Sequence, residues 1–145
     1  MISVEVRVEV RPTESEEKVK RAVENLLSVT WIGEEKVGLI KFLQGLGAGA
    51  ASLRKLHAAL RRQRILDAAR NYMLRGVGVD YIRFYLNKQA AYAGVVSFCS
   101  YEYGESPLGA ITVVIRTSDP QKLIDWLAPR TVEGKPVSEV EPPDP

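Results

Sequence analysis

Residues 2–11 alternate without a break. Ile2, Val4, Val6, Val8 and Val10 are apolar, and Ser3, Glu5, Arg7, Glu9 and Arg11 are polar. Successive side chains of a strand point to opposite faces, so this stretch predicts a half-buried strand with one face in a core. Pro12 ends it. Thr13 and Glu16 have the spacing of a capping box, and Glu14, Glu16 and Glu17 favour the positive start of a helix. Val19, Ala22, Val23, Leu26 and Leu27 then recur at helical spacing to about Ser28. Residues 29–32 and 37–43 read as two short strands, with 33–36 (Gly-Glu-Glu-Lys) as the turn between them. The segment GLGAGAAS reads as a flexible connection. Its glycines match neither the P-loop nor the full dinucleotide fingerprint. Ser52 is placed to cap the helix that follows.

Residues 52–75 predict one long helix whose apolar stripe changes side midway. Leu53, Leu56 and Leu60 stack on one side, whereas Ile65, Leu66, Ala69, Tyr72 and Met73 lie largely opposite. The stripe swings round near Gln63, so either the helix is buried on different sides at its two ends or it crosses another element there. Gly76-Val77-Gly78 breaks the pattern. Residues 81–86 alternate Tyr81, Arg83, Tyr85 with Ile82, Phe84, Leu86 and read as a strand. A helical turn near 90–94, strands at 95–99 and 110–116, and a loop over 100–109 follow. Asp119 and Pro120 open a last helix, with Leu123, Ile124 and Leu127 inward, and Pro129 stops it. The order is β-α-β-β-α-β, then a β-hairpin and a C-terminal helix. It predicts a two-layer α+β fold, mainly antiparallel, with helices on one face of the sheet. One domain over 1–137 is expected, with 138–145 as a mobile acidic, proline-rich tail.

Composition narrows the chemistry. The 145 residues suit one domain with a sizeable core, and a 46% hydrophobic content is ordinary for a globular protein. No apolar run reaches the ~20 residues that span a membrane, and no secretory signal opens the chain. The one cysteine, Cys99, excludes an intramolecular disulfide. With His57 as the one histidine, a conventional zinc site is not expected. A cytoplasmic protein without metal or cofactor is the expectation.

Charge is unevenly placed. The segment 52–75 holds seven basic residues against one acid, a net +6 in a chain of net +2, so the remainder carries −4. On a helix, Asp67 would be within reach of Gln63, Arg64, Arg70 and Asn71. That group reads either as an ion-pair network locking the helix or as a polar site suited to phosphate. Arg61, Arg62, Arg64 and Arg70 are the helix's candidate phosphate contacts. Tyr81, Arg83 and Tyr85, with Lys88 beyond, form an aromatic and basic strand face that could stack unpaired bases. Asn87 and Gln89 extend the polar set. No nucleophile or paired-carboxylate constellation stands out, so the reading leans away from an enzyme. His57 on the leucine side of the helix reads as a packed histidine, and Cys99 as an inert small hydrophobe.

The segments LRRQRILDAAR, FYLNKQAAYAGVVSFC, SPLGAI and LIDWLAPRTVEGKPV resemble an archaea-restricted family of uncharacterised proteins labelled as predicted RNA-binding proteins. The similarity runs from about residue 3 to 137. Gln63, Arg64, Asp67 and Arg70 carry it in the first segment, Asn87, Lys88 and Gln89 in the second, and Ser106, Pro107 and Gly109 in the third. The resemblance implies a two-layer α+β domain similar in fold to the large-subunit ribosomal protein that contacts 5S ribosomal RNA. Three functions stand open: RNA binding, a homodimeric structural role through the uncovered sheet face, and a phosphate-containing small-ligand binder or enzyme.

Overall fold

The computed structural model describes residues 2–100 and 109–142. Eight strands and five helices follow in the order β1 (Ser3–Val10), α1 (Glu16–Leu26), β2 (Thr30–Val37), β3 (Ile40–Ala48), α2 (Arg54–Arg62), α3 (Leu66–Arg75), β4 (Tyr81–Asn87), α4 (Lys88–Tyr92), β5 (Phe98–Cys99), β6 (Ala110–Arg116), α5 (Pro120–Leu127), β7 (Thr131–Val132) and β8 (Lys135–Pro136). A 3₁₀ turn, Ala50–Leu53, leads into α2. Six strands form one antiparallel sheet in the order β2-β3-β1-β6-β4-β5. The α+β class with an antiparallel sheet is as the alternation predicts. Ile2, Val4, Val6 and Val8 are buried on one face with Val19, Val23 and Leu26 of α1, Leu56 and Leu60 of α2, and Leu123 and Leu127 of α5.

The expected single helix over 52–75 is two helices. Arg64 has φ +57°. Ile65 N donates to Leu60 O at 3.1 Å and Arg64 N to Arg61 O at 3.1 Å. These are the two hydrogen bonds of a Schellman motif, with Arg64 in the left-handed position usually given to glycine. Ile65 then packs against the core. Gln63 fixes the bend, donating to Val96 O at 2.9 Å and accepting from Val96 N at 2.8 Å. The break explains the swinging stripe, since each half buries its own side.

The break also sets the topology. β1 is antiparallel to both β3 and β6, and β6 is antiparallel to β4. β4 therefore runs opposite to β3. A single crossover helix joins parallel strands; here the α2–α3 pair joins strands of opposite direction. β6 sits between β1 and β4, so every adjacent pair is antiparallel. The two strands read as a terminal hairpin are not neighbours: β5 pairs with β4.

Other boundaries differ from the sequence reading. The β2–β3 turn lies at Gly38-Leu39, not at 33–36, because Val37 pairs with Ile40. Gly45 and Gly47 are strand residues of β3 rather than loop. A Cβ on Gly47 would lie 2.8 Å from both Ser28 O and Ser52 Cβ, so this strand needs glycine to fit under its neighbours. Helix α1 is capped by Ser15 through Lys18 N, not by Thr13. Asp119 caps α5 with Pro120 behind it, as read. The loop expected over 100–109 falls mostly outside the described residues, and so do Ser106 and Pro107.

Candidate nucleic-acid interface

The second face of the sheet carries no helix among the described residues. Glu5 and Arg7 of β1, Gln44 and Leu46 of β3, Arg83 and Tyr85 of β4, and Thr112 and Val114 of β6 point to it in register. They line a concavity of about 390 Å³. The Arg7 guanidinium lies 4.1 Å from the centroid of Phe42, and Glu5 is held by Arg116. Arg83 is exposed, with its guanidinium 5.5 Å from the Tyr81 centroid, while Tyr81 and Tyr85 are half-buried. The alternation of β4 thus places Tyr81, Arg83 and Tyr85 together on this second face, as the strand period requires.

The other expected contacts do not join them. Arg62 and Arg64 are exposed, but on the helical layer. Arg61 spends its donors inside the protein. Its Nη1 bonds Leu127 O at 3.0 Å, its Nη2 bonds Trp126 O at 3.1 Å, and its Nε and Nη2 bond the Glu139 carboxylate at 2.8 and 2.6 Å. Arg61 therefore satisfies the free carbonyls at the end of α5. Arg70 is buried, donating to Asp125 at 2.9 Å and to Ala128 O at 3.1 Å. Lys88 has no exposed surface, and its ammonium lies 2.7 Å from Glu9 O and 2.9 Å from Glu14 Oε1. Burial pushes the Lys88 ammonium below the usual lysine range, against the upward pull of Glu14. A phosphate reaching Arg61, Arg70 or Lys88 would have to displace internal partners.

The Asp67 network also resolves differently. Asp67 accepts from Thr131 Oγ1 at 2.6 Å, and Arg70 pairs with Asp125 rather than with Asp67. The helix break separates Gln63 and Arg64 from the spacing that put them beside Asp67. Asn71 and Gln89 are exposed, and Asn87 caps α4 by accepting from Ala90 N at 3.0 Å. Asp67 and Lys88 are engaged by separate partners. His57 stacks on Trp126 at 4.8 Å, and burial first, then Arg61, pulls its pKa down. Cys99 is buried. Among the described residues no cluster of three or more metal-ligating side chains occurs, and no helix is long and apolar enough to cross a membrane.

Sequence reasoning passed over Tyr72 and Arg75. Tyr72 counted as a core residue and Arg75 as one more helix charge. They lie at the end of α3, where the Gly76–Gly78 segment delivers the chain to β4, and they wall a second groove that also includes Arg83 and Tyr85. The signal was the glycine pair: two glycines flanking one residue mark a backbone that must approach another closely.

A family model described as RNA binding matches residues 3–117, from β1 to the residue after β6. A UPF0201 protein of Aeropyrum pernix is 46% identical over 144 residues, covering 99% of this chain and 95% of the relative. One from Sulfurisphaera tokodaii is 48% identical over 139 residues, covering 96% of this chain and 95% of the relative. The crystal structure of a UPF0201 protein from Methanococcus jannaschii superposes with a TM-score of 0.79 at 36% identity, covering 94% of this chain and 99% of that one. With matches along nearly its whole length in sequence and in structure, the chain belongs to the archaeal UPF0201 family, and its residues 3–117 match the family model described as RNA binding.

Proposed function

We propose that this protein binds RNA on the helix-free face of its sheet, with Arg83 at the centre and Tyr81 and Tyr85 beside it. The observation that carries this reading is the alignment of those three side chains on one strand face, with Arg83 and Tyr85 lining the concavity shared with Arg7. Arginine supplies the counterion-releasing phosphate contact, and an aromatic ring offers any unpaired base a stacking surface. The basic helices contribute less than their +6 charge implies, because Arg61 and Arg70 serve the fold. The match of residues 3–117 to a family model described as RNA binding points the same way. The test is a titration of fluorescein-labelled RNA at low salt with wild type and with Arg83→Glu. Reversal of this central charge should weaken binding at least tenfold with the fold intact; equal affinity would remove the sheet face as the site.

A second reading, a homodimer, is favoured by Ile32, Val37 and Leu39, which are 59%, 54% and 82% exposed on β2 and its turn. Apolar side chains on an exposed edge strand invite pairing with another copy. Light scattering on the purified protein decides it: a mass of one chain at all concentrations excludes it.

A further inference from the structure

The β4 edge has an unusual lining. β5 pairs with Tyr85 and Leu86 alone. Ahead of it, the segment after α3 takes up the edge. Arg83 N donates to Gly76 O at 2.9 Å, Gly78 N donates to Tyr81 O at 2.8 Å, and Val77 bridges to Ile82. A Cβ on Gly76 would lie 1.7 Å from Arg83 O, and one on Gly78 would lie 2.4 Å from the Tyr81 ring. The two glycines let this segment press flat on the strand and hold the Tyr81 ring in place.

The groove beside it has a volume of about 440 Å³ and is walled by Tyr72, Arg75, Tyr81, Arg83 and Tyr85. That volume is within the usual range for small-ligand sites. Tyr72 stacks on Phe98 at 5.2 Å, so its ring is anchored on the core. The Arg75 guanidinium lies 4.9 Å from the Tyr72 centroid, as Arg83 lies 5.5 Å from that of Tyr81. Among the described residues neither arginine forms an ion pair with a carboxylate, in contrast to Arg11, Arg61, Arg70 and Arg116. A guanidinium stacked on a ring keeps its in-plane N–H donors for an oxyanion. Two such groups facing one aromatic groove make a built arrangement for a phosphate joined to a flat ring.

We infer that this groove seats one unpaired nucleotide of an RNA strand, its phosphate at Arg75 and Arg83 and its base against Tyr85, whose ring carries no stacked side chain among the described residues. The inference rests on the RNA-binding reading and adds a substrate class to it: single-stranded rather than duplex RNA. A base inside a duplex already has both faces stacked and cannot enter such a groove.

The test compares a fluorescein-labelled 12-nucleotide single-stranded RNA with the same strand annealed to its complement, by anisotropy over a range of salt. Wild type should bind the single strand at least tenfold more tightly. Tyr85→Leu should weaken single-strand binding about fivefold or more, the lower end of a stacking contact. Arg75→Gln, at an exposed helix end where folding is not at stake, should flatten the log K against log salt slope by about 0.7. Equal affinity for duplex, or wild-type affinity and slope in both variants, would overturn the groove while leaving RNA binding elsewhere. No binding of either RNA by wild type at low salt would overturn the RNA-binding reading itself, and this inference with it.

Discussion

Lys88 Nζ lies 2.9 Å from Glu14 Oε1, and these two charges join the start of α4 to the chain between β1 and α1, 74 residues away. Lys88 is fully enclosed and also bonds Glu9 O, while Glu14 accepts from Arg11 N and from Tyr92 Oη, both at 3.0 Å. Every charge in the group is therefore answered. Losing one partner of a buried pair leaves the other uncompensated, at a cost of about 3–5 kcal/mol. Lys88→Met should lower the unfolding free energy measured in urea by that much, and a second change, Glu14→Gln, should recover part of it. A Lys88→Met protein within about 1 kcal/mol of wild type would mean that the pair is not buried as described.

Arg64 should be better replaced by glycine. In the left-handed conformation a side chain costs about 1 kcal/mol relative to glycine. Arg64→Gly is expected to raise stability by up to about 1 kcal/mol, and Arg64→Val to lower it. In an unbroken helix over 52–75 the glycine would instead cost about 1 kcal/mol. The sign of the change, read from denaturant midpoints, separates the two helices from one.

Acid should loosen the contact between the C-terminal segment and α2. Hydrogen bonding from Arg61 holds the Glu139 carboxyl below its ordinary value near 4.5, with burial opposing. A depressed folded value means the contribution is present above the unfolded value and is lost as pH falls through the folded one. Glu139 is about half exposed, so Glu139→Gln should cost only about 0.5–1 kcal/mol at neutral pH. The gap between the two proteins should close in acid. A gap of constant size at all pH values would show that charge is not what joins Glu139 to Arg61.

Much of the sheet was legible because its signals are local. The alternation in 2–10 and 81–86 fixes which side chains share a face whatever the rest of the chain does, and so Tyr81, Arg83 and Tyr85 fall together as read. The helix break was half legible. The stripe turned at Gln63, but the αL position that ends α2 is held by Arg64 in place of the usual glycine, so no residue type announced it. The roles of Arg61, Arg70 and Lys88 were not legible at all. A sequence shows a charge but not the carbonyls of Trp126, Leu127, Ala128 or Glu9 that consume it, since those carbonyls come from distant elements brought near by packing. Asp67 misled for related reasons: its i−3 and i−4 neighbours count only if the helix continues through 64, and Arg70, its i+3 neighbour within α3, is taken by Asp125 and the Ala128 carbonyl.

The most direct measurement is the salt dependence of RNA affinity for variants on the two layers. For a single strand, log K falls against log salt with a slope of about −0.7 per phosphate contact. Wild type, Arg83→Gln, and the double variant Arg62→Gln/Arg64→Gln should each be titrated with the same short single-stranded RNA. Arg83→Gln should flatten the slope by about 0.7, and the double variant should match wild type, because RNA lies at β4 and not at the end of α2. A flattened slope in the double variant with an unchanged slope in Arg83→Gln would contradict this and move the RNA to the helical layer.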